Sequence, residues 1–178
     1  MSNEPLAPIP DSKDWTWVLE EPCAACGFDA AEVDPTQTGT LLRANAQAWA
    51  DVLDRPDDQL RSRPAPQVWS PLEYSCHVRD VYVLFGARLA LMRREDGPQF
   101  ENWNQDVTAI EQRYDLADPA EVRAALLDAG SALADAFDSV DESEWERTGF
   151  RSDGAAFTIA SFATYLLHDP IHHLHDVA

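Results

Sequence analysis

The chain has 178 residues, with 13 lysines and arginines against 32 aspartates and glutamates, a formal charge of −19 at pH 7. That length fits one domain, and at 45% hydrophobic and 25% charged the composition is that of a folded globular protein, not a disordered one. A surface this acidic repels phosphate backbones and anionic lipid, which argues against nucleic acid and membrane surfaces as partners.

Residues 1–35 read as an irregular N-terminal extension, rich in proline and acid, with Trp15 and Trp17 as expected anchors onto a core. No basic, apolar leader opens it and no run of about 18 apolar residues occurs, so a cytoplasmic protein that does not span a bilayer is expected. Cys23, Cys26 and Cys76 are too few for a disulfide scaffold. The Cys23-Ala-Ala-Cys26-Gly27 run could serve metal or redox chemistry. A structural zinc site needs two further ligands, however, and a thioredoxin-like motif needs a βαβ setting that the pattern lacks.

Helical periodicity starts at Thr38, where Leu41, Leu42, Ala46, Trp49, Val52 and Leu53 form one apolar stripe. Pro56 ends it. Ser70-Pro71-Leu72-Glu73 is a capping box with proline at the first helical position, and it opens a second long helix through Val78, Val81, Phe85, Leu89 and Met92. Gly97-Pro98 stops that helix, and residues 99–117 form a crossover with a short helix near 104–112. Asp118-Pro119-Ala120-Glu121 opens a third helix with Val122, Leu126, Leu133 and Phe137 on its stripe. A polar connection at 141–156 precedes a last helix from Thr158, with Ile159, Phe162, Ala163, Leu166 and Leu167 facing inward. Four long helices with few strand signals make the fold class all-α, a four-helix bundle over residues 36–178.

Four of the five histidines, His168, His172, His173 and His175, lie in the last eleven residues, and the fifth, His77, opens the second long helix. His168 and His172 are i, i+4, so they share a helix face with Cβ atoms roughly 5–6 Å apart and can bind one ion together. His173 lies 100° further round the helix. Pro170 between the paired histidines removes a helical hydrogen bond and either bends or ends the helix. An imidazole site suits Zn, Ni or Fe. Asp80 and Asp169 are candidates to orient ligand imidazoles from a second layer, or are simply solvated on the helix surface.

Residues 69–80 (Trp-Ser-Pro-Leu-Glu-Tyr-Ser-Cys-His-Val-Arg-Asp) followed by 168–176 (His-Asp-Pro-Ile-His-His-Leu-His-Asp) resemble the DinB/YfiT-like metalloprotein superfamily. The resemblance implies a four-helix bundle carrying a three-histidine divalent metal site, with His77, His168 and His172 as the ligands. It also implies a metal-dependent enzyme acting on a small-molecule substrate, a thiol-dependent S-transferase or isomerase. The cofactor would be a low-molecular-weight thiol of the mycothiol or bacillithiol type. A non-catalytic metal- or small-ligand-binding stress protein is the alternative. Helix-face pairing in such bundles makes a homodimer an expected assembly.

Overall fold

The computed structural model describes residues 14–178. Among them six helices occur: α1 (Thr38–Leu53), α2 (Asp57–Leu60), α3 (Pro71–Arg94), α4 (Gln105–Glu111), α5 (Pro119–Asp138) and α6 (Ile159–Asp176). The four long ones, α1, α3, α5 and α6, form the bundle. Their starts are written locally in the chain. The Ser70 side chain accepts from the Glu73 N–H while the Glu73 carboxylate accepts from the Ser70 N–H, and Thr158 and Ser161 repeat the exchange at the start of α6. Asp118 accepts from both the Ala120 and Glu121 N–H groups to open α5.

The bundle core is built from the stripes those starts set running: Leu42, Trp49, Leu72, Leu89, Leu126, Phe162 and Leu166 are each essentially inaccessible. Leu41, expected on the inward stripe of α1, instead lies exposed. It sits one step off the buried Leu42–Ala46–Trp49 line, which faces α5 and α6. At Gly130 of α5, a Cβ would fall 2.7 Å from the Ala46 methyl and 3.2 Å from the Tyr82 ring, so only glycine lets α1, α3 and α5 approach this closely. Buried polar groups at this crossing are paired: the Tyr82 hydroxyl donates to Asn45 Oδ1 at 2.6 Å.

Pro170 does not end the last helix, which runs through it to Asp176. The indole N–H of Trp49 donates to the Pro170 carbonyl at 3.0 Å, and Arg55 donates to the Val177 carbonyl at 2.7 Å. These bonds fix the histidine-bearing end of α6 against α1.

Both connections expected to be irregular contain strands. β1 (Gln99–Phe100), β2 (Thr148–Arg151) and β3 (Ala156–Thr158) form one small sheet in that order, β1 parallel to β2 and β2 antiparallel to β3. It ties the segment after α3 to the α5–α6 connection. The described part of the N-terminal extension is also ordered. Three 3₁₀ turns, Trp15–Leu19, Ala30–Glu32 and Pro35–Gln37, each begin at an aspartate (Asp14, Asp29, Asp34) whose carboxylate accepts a backbone N–H two residues on. Part of the acidity of this segment is therefore capping. Val18, Cys23 and Phe28 anchor it on the bundle. Among the described residues no helix is long and apolar enough to cross a membrane.

Candidate metal centres

The last two turns of α6 present two i, i+4 pairs one residue out of step: His168 with His172, and Asp169 with His173. The 100° between successive helix positions sends the pairs to different neighbours. The three histidines expected as one set are divided between them. His77 falls with Asp169 and His173, whereas His168 and His172 fall with Cys23 and Cys26; within each group, one ligand atom per residue lies within 4.8 Å of all the others.

In the first group, His77 is fully buried on α3, its ring stacked on Trp103 at 5.3 Å between centroids and packed against Trp69 at 5.2 Å. Its Nε2 lies 3.2 and 3.4 Å from the two Asp169 oxygens, and its buried Nδ1 has no hydrogen-bond partner among the described residues. His173 Nε2 lies 3.8 Å from Asp169 Oδ2, while its Nδ1 is 3.0 Å from Asp176 Oδ2. Two ligands on one tetrahedral ion with bonds of about 2.0–2.1 Å stand about 3.3 Å apart, which the His77–Asp169 pair already meets. Burial opposes ionisation of Asp169, but the imidazoles of His77 and His173 outweigh it and hold the carboxyl well below its ordinary range. The group therefore offers a carboxylate and two imidazoles, a set that fits a divalent ion with coordination positions to spare.

The second group joins α6 to the N-terminal extension. Cys23 Sγ lies 3.6 Å from His172 Nδ1 across 149 residues of sequence. His168 is 4% exposed, and its buried Nε2 has no hydrogen-bond partner among the described residues. Burial pushes the His168 imidazole down to about 4, with the charge of His172 acting in the same direction, so the ring is neutral at physiological pH. Trp15 lies 5.3 Å from both the His168 and His172 rings, and Phe28 covers His168 at 5.4 Å.

A cavity of about 120 Å³ opens between the two groups, lined by Asp169 and His173 of the first, His168 and His172 of the second, and by Arg88 and Tyr165 among others. Arg88 is 8% exposed, donates to the Glu101 carbonyl at 2.6 Å and lies over the Phe100 ring at 4.8 Å. No carboxylate pairs with it among the described residues. Burial lowers its guanidinium only to about 10, so it keeps its charge.

Asp80, expected beside an imidazole, accepts instead from the Tyr114 hydroxyl and from Arg79 Nε at 2.8 Å. Tyr114 packs on Trp69, which packs on His77, so Asp80 braces the wall of the site at one remove. Asp169 stands as a potential ligand and not only as an orienting group. His175 is exposed and joins neither group. Cys76 is a core thiol that burial pushes up to about 12. Spacing on α6 alone had set His173 aside, and the signal that could have found it is the second i, i+4 pair, Asp169 with His173.

The family model of the DinB superfamily matches residues 39–177. The chain belongs to the DinB superfamily. Among solved structures, YfiT from Bacillus subtilis, described as a probable metal-dependent hydrolase with an unusual four-helix bundle topology, is similar with a TM-score of 0.72 and 16% identity. The similarity covers 80% of this chain and 85% of that one, and at this identity it shows the shared fold. No curated protein matches the chain. His77, Asp169 and His173 all lie inside the DinB match, as do His168 and His172, whereas Cys23 and Cys26 lie before it.

Proposed function

We propose that this DinB protein is a metal-dependent enzyme whose divalent ion, Zn, Ni or Fe, is held by His77, Asp169 and His173, and that it hydrolyses a small substrate bearing an anionic group. The observation that carries the reading is the convergence of these side chains, with Asp169 and His173 lining a cavity that also holds a buried, charged Arg88. An ion bound there supplies Lewis acidity, lowering the pKa of a water or thiol at its open position.

The chain's own residues do the rest. Asp176 accepts a hydrogen bond from His173 Nδ1–H and so turns the Nε2 lone pair toward Asp169. Trp103 shields His77 from solvent. Arg88 binds the anionic group of the substrate. Burial pushes the Tyr165 hydroxyl up, so at the cavity wall it stays protonated and available as a donor. A cavity of about 120 Å³ is small beside ordinary ligand pockets of about 300–1,000 Å³ and favours water over a bulky thiol as the nucleophile.

Thiol-dependent S-transfer or isomerisation, with mycothiol or bacillithiol, is the second reading. It is supported by the same open position, which a thiolate can fill with the bulk of the thiol outside the cavity. The test is to reload chelated protein with Zn, Ni or Fe and assay small carboxylate-bearing esters, amides and lactones without thiol, then small electrophiles with each thiol. Hydrolysis without thiol is expected, abolished by Asp169→Ala or His173→Ala. Arg88→Met should raise KM about 10–100-fold, the worth of a charge-assisted hydrogen bond of about 1.5–3 kcal/mol. Turnover only with thiol would establish the second reading, and saturable binding without turnover a ligand-binding protein. If His168→Ala abolishes turnover while Asp169→Ala and His173→Ala do not, the three-histidine set His77, His168 and His172 holds the ion instead.

A further inference from the structure

We infer that Cys23, Cys26, His168 and His172 form a second, closed metal centre, a tetrahedral Cys2His2 zinc site that fastens the N-terminal extension to α6. The donor set is complete in itself: two sulfurs and two imidazole nitrogens, all within 4.8 Å of one another. The Cys23 Sγ to His172 Nδ1 distance is 3.6 Å. A tetrahedral ion with bonds of about 2.3 Å to sulfur and about 2.0–2.1 Å to nitrogen sets such a pair about 3.5–3.6 Å apart. The buried Nε2 of His168, without a hydrogen-bond partner among the described residues, is a polar atom that burial makes costly unless a ligand satisfies it.

The turn bearing the cysteines is built to hold sulfur facing one point. Gly27 adopts φ +78°, a left-handed conformation suited to glycine, and its N–H donates to the Cys23 carbonyl at 2.7 Å. The Cys23 N–H donates to the Phe28 carbonyl at 2.8 Å and closes the turn. Burial opposes ionisation of Cys23, but the backbone N–H groups of Cys26 and Ala25 point at its sulfur and hold the thiol below its ordinary value. The Phe28 N–H points at Cys26 in the same way, though there burial prevails and the thiol lies above its ordinary value. Two thiolates cancel the charge of a divalent zinc ion, so the filled centre is electrically neutral where Trp15 and Phe28 cover it. No ligand position is left open, which marks a structural centre.

This centre does not depend on the hydrolytic reading, but the two sites share supports. Asp176 stands 3.8 Å from His172 Nε2 and 3.0 Å from His173 Nδ1. Trp15, held against both imidazoles of the closed centre, also lines the cavity of the open one. Zinc in the Cys2His2 centre thus holds one wall of the pocket.

Cobalt-loaded, untagged full-length protein tests this directly. A sulfur-to-cobalt charge-transfer band with intense tetrahedral visible bands is expected in the wild type and in Asp169→Ala/His173→Ala, and is lost in Cys23→Ser/Cys26→Ser. Zinc content of the cysteine double variant should fall by half, with the remaining ion removed by the added Asp169→Ala change. Chelation should raise the rate of proteolytic cleavage within residues 20–35 at least about tenfold, because ligand binding energy here is folding energy for the segment. A reduced wild type without the thiolate band, zinc content indifferent to the cysteines, or a Cys23–Cys26 disulfide in the metal-loaded protein would each overturn the centre. An ion lost on Asp169→Ala would in those cases leave the proposed function standing. A thiolate band with no ion lost on Asp169→Ala would overturn the proposed open site and keep this one.

Discussion

Asp176 is the residue that stands beside both groups of candidate ligands. Its carboxylate lies 3.0 Å from His173 Nδ1, a hydrogen bond that favours the proton on that nitrogen, and 3.8 Å from His172 Nε2, within reach of its charge. Burial disfavours its charge, but the neighbouring imidazoles, His173 first, outweigh burial and keep it ionised. Asp176→Asn keeps the shape and removes the charge. It is expected to weaken metal affinity at the His173 site about 10–100-fold, the usual worth of a carboxylate behind a ligating histidine, while leaving the helical circular dichroism unchanged. Competition with a chromophoric chelator reads the affinity, and unaltered affinity would mean that Asp176 serves only as a helix C-terminal group.

At the scale of elements, the direction in which His77 faces is set by the start of α3. Ser70 and Glu73 exchange hydrogen bonds, and Arg63 Nε donates to Glu73 Oε2 at 2.8 Å with the glutamate side chain only 5% exposed. Ser70→Ala should cost about 1 kcal/mol, the ordinary value of a helix cap. Arg63→Ala should cost more, about 2–3 kcal/mol, because it leaves a buried carboxylate without its counter-charge. Urea denaturation separates the two, and equal costs would show that the ion pair adds nothing to the cap. Such caps were legible in the sequence because they are complete within four residues, and the stripes that follow were legible because burial repeats along one helix. The small sheet was not: its strands are two to four residues long, too short for alternation to register, and their pairing is non-local. The candidate metal ligands fall between these cases. Each i, i+4 pair on α6 was readable, but the partner of each pair is decided by how α6 is turned against α3 and by where the extension folds back. Contacts 92 and 149 residues apart, His77 to Asp169 and Cys23 to His172, leave no local trace. The Cys-x-x-Cys and His-x-x-x-His motifs were each visible, and only the fold brings them together.

For the whole molecule, the charge of −19 sets the conditions under which metal content has meaning. Many carboxylates are exposed, and several are paired only with exposed arginines, as Arg43 is with Asp135 and Asp138 and Arg123 with Asp54. Exposed pairs contribute little, about 0–1 kcal/mol, so the net self-repulsion of the coat dominates its electrostatics. Raising ionic strength from about 0.01 M to about 0.15 M shortens the screening length from about 30 Å to about 8 Å. Metal-free protein should therefore gain stability with salt, on the order of 1 kcal/mol or about 2–4 °C in Tm for a chain of this size. Cations gathered by the coat should be released over the same range, whereas ions held by the two proposed clusters should remain, since short bonds to buried donors are screened little. Thermal scans and metal analysis across that salt series check both statements. A Tm that falls with salt would show that the surface ion pairs outweigh the repulsion, and metal lost in parallel with salt would show that the coat, not the two clusters on α6, was what held it.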